Sequence, residues 1–170
     1  MGIFFQKKNN ELLKMPCMDR DKSKLIKGEM YMQKDEARMA RHQQYLDQHL
    51  PLVEELFSKF QDRVKMGEDF KILNTKHENK RSLERAVSMS DVKSVIVDGF
   101  LIETSVIGEN VYDVLIMSFI KMKSVKKYRP LHVSAIFYAD QHVLTVKTVY
   151  DPRSKEEQWT NNYTTRVFFK

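Results

Sequence analysis

Residues 111–123 read VYDVLIMSFIKMK, and this alternating stretch decides the fold class. Successive side chains of a β-strand point to opposite faces, so alternation over this length predicts one long strand with a buried side. The side chains expected on the buried side are Tyr112, Val114, Ile116, Ile120 and Met122, and those expected opposite include Asp113, Lys121 and Lys123. The strand therefore belongs to a sheet that packs against a core on one side.

Further strand-like runs flank this stretch. Residues 92–97 and 100–107 are separated by Asp98-Gly99, a dipeptide typical of tight hairpins, although one long bulged strand is an alternative. Gly108-Glu109-Asn110 is the next turn signal. Three more strands are predicted at Leu131–Ala139, His142–Tyr150 and Tyr163–Phe169, with turns at Asp140-Gln141 and Asp151-Pro152 between them.

Upstream of the strands the chain has helical periodicity. The apolar residues that recur on one helical face are Met39, Leu46, Leu50, Val53, Phe57, Phe60 and Val64. Pro51 disfavours helical geometry at Leu50, so we expect helices at 33–50 and 51–66, or one kinked helix over 33–66. Gly67 suits the left-handed cap position, and Glu55 is spaced to pair with Lys59. A short helix is also predicted at Arg81–Met89.

Helices followed by antiparallel strands predict an α+β fold, with the N-terminal helices packed on a curved, cone-like antiparallel sheet of four to six strands. A chain of 170 residues suits one domain, expected at 33–170. Residues 1–32 show no sustained period and are expected to form a flexible basic arm. Residues 1–30 alone carry +3 of the net charge of +6.

Composition excludes several classes of protein. Cys17 is the single cysteine, which excludes an internal disulfide and a multi-cysteine zinc site. The longest apolar run, Val114–Ile120, is far shorter than the roughly 20 residues of a membrane-spanning helix. Polar residues at 6–11 interrupt any secretory signal. We expect a protein of the cytoplasm or an organellar matrix, soluble or peripheral on a membrane, and not secreted.

The sequence carries no recognisable catalytic or metal motif. The histidines are His42, His49, His77, His132 and His142. His42 and His49 share a helical face without cysteine or HExxH spacing, and His132 and His142 flank strand ends where solvent-facing imidazoles are common. Asp98 and Asp140 fall on predicted tight turns, where aspartate is favoured by the backbone. No metal, no cofactor and no enzymatic activity are expected.

The sharpest charge feature is a run of five cations in nine residues with no acid among them. Its members are Lys121, Lys123, Lys126, Lys127 and Arg129. A solvated loop explains such a run, as does contact with phosphate groups of RNA or of anionic lipid. We take it as the candidate site for an anionic partner. Trp159, the only tryptophan, is expected to fill the core.

Several strings together resemble a known superfamily. They are Leu83-Glu84-Arg85-Ala86-Val87, residues 95–103, the Gly108 turn, residues 111–123 and Glu157-Gln158-Trp159-Thr160. They are similar to the cone fold of nuclear transport factor two, and most of all to the domain of mitochondrial inner-membrane translocase subunit forty-four and its bacterial and mitoribosomal relatives. Asn161-Asn162-Tyr163 departs from the aromatic-x-Arg continuation usual in that family. The resemblance implies a role in tethering import or ribosomal machinery to membranes.

These features predict a non-enzymatic binding or scaffold domain. It would hold a protein partner and face a membrane or nucleoprotein surface through the basic run. A component of a ribonucleoprotein or of a secretion or conjugation apparatus is one alternative. A small-molecule isomerase or dehydratase using Asp98, Asp140 or His132 in a cone pocket is another. A homodimer through the helix at 33–66 is a further expectation.

Overall fold

The protein has an α+β fold, as predicted. In a computed structural model the described residues are 20–74, 87–121 and 128–167, without the side chains of residues 20–34 and 74. The elements are α1 (Arg20–Lys65), β1 (Lys71–Asn74), α2 (Met89–Asp98), β2 (Phe100–Gly108), β3 (Val111–Lys121), β4 (Tyr128–Tyr138), β5 (Val143–Tyr150), a 3-10 helix (Pro152–Gln158), β6 (Trp159–Thr160) and β7 (Thr165–Arg166). The chain divides into two compact units, Met1–Lys34 and Asp35–Lys170.

The main sheet has five strands in the order β1-β5-β4-β3-β2, and β6 pairs with β7 in a separate ribbon. The pairs β2–β3, β3–β4 and β4–β5 are antiparallel, as expected. Strand β1 runs parallel to β5, so the expectation of a wholly antiparallel sheet is wrong. Four residues, Lys71–Asn74, are too few to show strand periodicity, so the sequence alone does not predict β1.

One side of the sheet packs against α1 and α2, and we call it the core face. The predicted buried residues of β3 that lie there are Tyr112, Val114, Ile116 and Ile120, while Met122 is outside the described residues. The helices cover them with Val53, Phe57, Phe60, Val92, Val95 and Ile96. The opposite side, the outer face, has a smaller cluster around Trp159, Leu115 and Met117. Trp159 is buried, as expected.

Helix α1 begins earlier than predicted, at Arg20, so residues 20–32 of the expected flexible arm are helical. It continues through Pro51, which fits the alternative of one helix and not separate helices at 33–50 and 51–66. Leu46, Val53 and Phe57 are buried on either side of the proline, and their packing outweighs the one lost backbone hydrogen bond.

The C-terminus of α1 is confirmed. Gly67 has a φ of +94°. The Gly67 amide donates to the Val64 carbonyl and the Glu68 amide to the Arg63 carbonyl, a Schellman motif. Lys59 Nζ lies 2.6 Å from Glu55 Oε1, as the spacing predicts.

The interpretation of residues 92–97 as a strand is wrong, because they belong to α2. Ser88 caps this helix: its side chain accepts from the Asp91 amide, and the Asp91 carboxylate accepts from the Ser88 amide. Asp98-Gly99 is consequently the junction of α2 and β2 and not a hairpin turn. The helix predicted at 81–89 is wrong at Val87 and Ser88, which are not helical, and residues 81–86 lie outside the described residues.

The last predicted strand, 163–169, is also wrong in extent. Asn161, Asn162 and Tyr163 all have positive φ and form a turn. The strand that follows is the two-residue β7, and residues 168–170 are not described. This turn brings Arg166 back beside Trp159 on the outer face.

Candidate functional site

The predicted cationic run spans, in the sequence, the connection between β3 and β4. Lys121 lies opposite Tyr128 in the strand register, and Ile120 lies opposite Arg129. Lys121 is exposed, whereas Arg129 is half-buried on the side of Ile120. Lys123, Lys126 and Lys127 fall outside the described residues. The structure therefore places the two ends of the run at the end of the hairpin, on opposite faces of the sheet.

Exposed aromatic rings lie beside Lys121 on the outer face. Phe119 is 47% exposed and Tyr128 is 64% exposed. Phe100, 43% exposed, pairs with Met117 on the adjacent strand. We call Phe100, Phe119, Lys121 and Tyr128 the hairpin surface. Of these four residues only Lys121 is among the five predicted site residues, although the alternation of residues 111–123 also places Phe119 on its side.

A partly buried ion pair lies further along the outer face. Arg166 donates from Nε and Nη2 to the two oxygens of Glu103, over 2.7 and 2.9 Å. Burial alone would lower the pKa of Arg166, but the Glu103 carboxylate more than offsets this and the pKa is raised. The guanidinium carbon also lies 4.6 Å from the Trp159 ring centre, in a cation–π contact. His42 Nε2 of α1 is 3.7 Å from Glu103 Oε1, so His42 is not a fully exposed residue.

His132 is fully buried, which corrects the expectation that it faces solvent. Its ring lies 4.5 Å from the Trp159 ring, and its Nδ1 is 3.1 Å from the Tyr150 hydroxyl. Burial lowers the pKa of His132 to about 4, against an opposing backbone hydrogen bond at Tyr163. Burial also raises the pKa of Tyr150 to about 12. Both side chains are therefore neutral at pH 7.

The residues considered for catalysis do not form one site. Asp98 ends α2, is exposed and lies 4.0 Å from Lys65 Nζ. Asp140 is exposed in the β4–β5 turn and accepts a 2.9 Å hydrogen bond from Asn110. His132 is enclosed by aromatic rings. Within residues 20–74, 87–121 and 128–167, no group of three or more His, Cys, Asp or Glu side chains is arranged to hold a metal ion.

The part of the chain that the structure describes contains no helix with the length and apolar character needed to span a bilayer. No protein-family model, curated protein or solved structure matches the chain. The resemblance to the cone-fold superfamily stays a hypothesis, and function has to be argued from the surfaces themselves.

Proposed function

We propose that the protein is a non-enzymatic binding module that docks on an anionic membrane surface through the β3–β4 hairpin. The observation that carries the proposal is the hairpin surface, where the exposed rings of Phe119 and Tyr128 lie beside Lys121 at the start of the five-cation run and Phe100 lies further along the same face. Aromatic side chains favour the boundary between headgroups and acyl chains, and lysines beside them attract anionic lipid.

The lysines and the aromatic rings contribute to membrane binding in different ways. Each cation close to an anionic bilayer contributes about 1 kcal/mol, and this contribution weakens with salt. The half-exposed Phe119 ring contributes to the free energy of binding because its apolar surface is removed from water. This hydrophobic contribution does not weaken with salt. A surface with both features binds anionic vesicles with a salt-dependent and a salt-independent component.

Vesicle co-sedimentation of the full chain tests the proposal. We expect binding to vesicles of phosphatidylcholine with phosphatidylserine and none to phosphatidylcholine alone. Exchanging Lys123, Lys126 and Lys127 for glutamate should weaken the binding roughly a hundredfold, since three favourable contacts of about 1 kcal/mol are lost. The variant Phe119→Ala should weaken it roughly fivefold, with the loss persisting at high salt.

A matched variant distinguishes the effect of local lysine contacts on vesicle binding from the effect of net charge. Lys71, Lys93 and Lys155 are exposed and lie on β1, α2 and the 3-10 helix. Exchanging these three for glutamate alters the net charge equally and should leave vesicle binding within about twofold. Equal losses in both triple variants would overturn the proposal, as would binding of single-stranded RNA in preference to vesicles.

The proposal includes a protein partner that the docked module holds. Residues 31–62 carry a net charge of −2, although α1 as a whole carries +2 because residues 20–30 and 63–65 are basic. Leu52 is exposed in this segment, and so is Glu55, three residues later on the same side of the helix. A partner with a basic, partly apolar surface would complement this segment. Recovery of the tagged protein in membrane fractions with such a partner supports the role, and recovery on ribosomes or without any partner contradicts it.

A further inference from the structure

The outer face contains a polar hollow that the proposed function does not use. Its volume is about 300 Å³, within the range of small-molecule sites. One row of side chains runs beneath it across four strands, in register: Glu103, Leu115, Ser134 and Thr148. The hollow therefore has a rigid floor, because each of these side chains is fixed by a paired strand.

Two ion pairs border the hollow. Lys147 donates to Asp113 on one side, and Arg166 forms its two hydrogen bonds with Glu103 on the other. The charges of these two pairs cancel, so the pairs leave no net charge to attract a charged ligand, and His42, which also lines the hollow, lies 3.7 Å from Glu103. An anion or a cation of small size would have to compete with one of these pairs, which costs binding energy.

Hydroxyl groups supply the remaining polar contacts. Ser105, Ser134 and Thr148 line the hollow, and each hydroxyl is able both to donate and to accept. Tyr150 adds an aromatic wall whose hydroxyl is neutral at pH 7. A ligand here meets carboxylates that accept, a guanidinium and an ammonium that donate, and hydroxyls that do both.

A molecule rich in hydroxyl groups matches this arrangement. Each of its hydroxyls accepts from Arg166 or Lys147 while donating to Glu103 or Asp113, without breaking either ion pair. Its ring carbons pack against Tyr150 and Leu115. A zwitterionic or multiply charged molecule satisfies one member of each ion pair at the expense of the other.

We infer that the outer-face hollow, bordered by the pairs Asp113–Lys147 and Glu103–Arg166, binds a neutral polyhydroxylated molecule about the size of a monosaccharide. The inference is independent of membrane docking, since the hollow and the hairpin surface share no residue.

Titration of the ¹⁵N-labelled full chain by NMR tests the inference, with D-glucose and myo-inositol as probes. We expect saturable shifts of the Ser134 and Thr148 amides with at least one of them at millimolar concentration. Citrate and glycine serve as charged and zwitterionic comparisons. Absence of saturable shifts at these amides with both polyols overturns the inference, and so does a stronger response to citrate or glycine.

Two variants inside the hollow and one control outside it test whether the polyol binds in the hollow. Ser134→Ala and Thr148→Val each remove one hydroxyl and should weaken polyol binding roughly tenfold. Thr145→Val removes a hydroxyl from the same strand outside the hollow and should leave the affinity unchanged. If Thr148→Val fails to fold, the smaller change Ser134→Ala tests the inference by itself. Unchanged affinity in a folded Ser134→Ala protein, or equal loss in Thr145→Val, contradicts the inference.

Discussion

Gln61 joins the two helices through one buried amide group. Its Nε2 donates to the Ile96 carbonyl over 2.9 Å and to the Gly99 carbonyl over 2.8 Å. Both carbonyls lie at the C-terminal end of α2, where a helix has no partners of its own for its last carbonyl groups. A side chain of α1 thus satisfies the end of α2 and fixes the position of the following strand.

Replacing Gln61 by leucine should lower the free energy of unfolding by about 2 kcal/mol, because two buried carbonyls lose their donor. Urea denaturation followed by circular dichroism measures the change. Gln43, whose amide donates to Asp47 at the surface, provides the matched control. Gln43→Leu should change stability by less than about 0.5 kcal/mol, and an equal loss in both variants would contradict the role assigned to Gln61.

His132 makes stability depend on pH. Its pKa falls from 6.5 in the unfolded chain to about 4 in the buried site, so only the unfolded state binds a proton between these values. Stability is full above pH 6.5 and declines as the pH falls toward 4. The difference of 2.5 units corresponds to a loss on the order of 3 kcal/mol. Unfolding midpoints in urea between pH 7.5 and pH 4 measure it.

The variant His132→Phe is the control for this effect. It removes the titrating group and keeps an aromatic ring beside Trp159 and Tyr150, so its stability should change less with pH over the same range. A wild-type protein and a variant with parallel pH profiles would exclude His132 as the cause.

At the level of single elements, α2 shows where sequence patterns compete. Val92, Val95, Ile96 and Val97 are β-branched and favour a strand, yet the first three are spaced three and four apart and are buried on one helical face. Ser88 and Asp91 have the spacing of a capping box, which is a helix signal visible in the sequence. Cap and periodicity outweigh intrinsic propensity here, because the helix buries its apolar face against the sheet.

Ser88→Ala should lower the free energy of unfolding by about 1 kcal/mol, since the Asp91 amide loses its cap. Ser90 lies in the first turn of the same helix and is exposed, so Ser90→Ala should be neutral or slightly stabilising. Thermal unfolding of both variants gives the comparison. A larger loss for Ser90→Ala would show that the capping box does not hold the helix.

Periodicity predicted α1 from residue 33 onward and the strands β2 to β5, because it depends on neighbours in the sequence. It placed Tyr112, Val114, Ile116 and Ile120 on one buried side, and the structure confirms them. The contact of Glu103 with Arg166 joins residues far apart in the sequence, and no local pattern reports it. For the same reason the hollow could not be predicted, whereas the position of Lys121 at the end of β3, on the face opposite Ile120, follows from the alternation of residues 111–123.

At the scale of the whole molecule, the strand order determines which parts open first. Strands β3 and β4 pair on both sides, while β1 and β2 are the edges of the sheet. Edge β2 is covered at one point, where the Val106 amide donates to the Tyr45 hydroxyl of α1. Edge β1 is only four residues long.

Hydrogen exchange should follow this order. We expect the amides of Val133 and Ala135 in β4 to exchange only through global unfolding, and those of Ile72 and Leu73 in β1 to exchange through local opening at lower cost. Exchange measured by NMR at several urea concentrations distinguishes the two routes. Equal protection of β1 and β4 would mean that the whole sheet opens as one unit.

The parallel pairing of β1 with β5 also affects how the chain is made. Lys71 pairs with Val143, so β1 leaves the ribosome about 70 residues before its partner exists. At cellular rates of synthesis this interval is roughly 4–14 seconds. Throughout it, β1 has nothing to pair with, and once β4 has emerged near the end of the interval, its edge is free as well. During this interval the nascent chain is therefore exposed to chaperones and to other nascent chains. The exposure ends when β5 emerges and pairs with both β1 and β4.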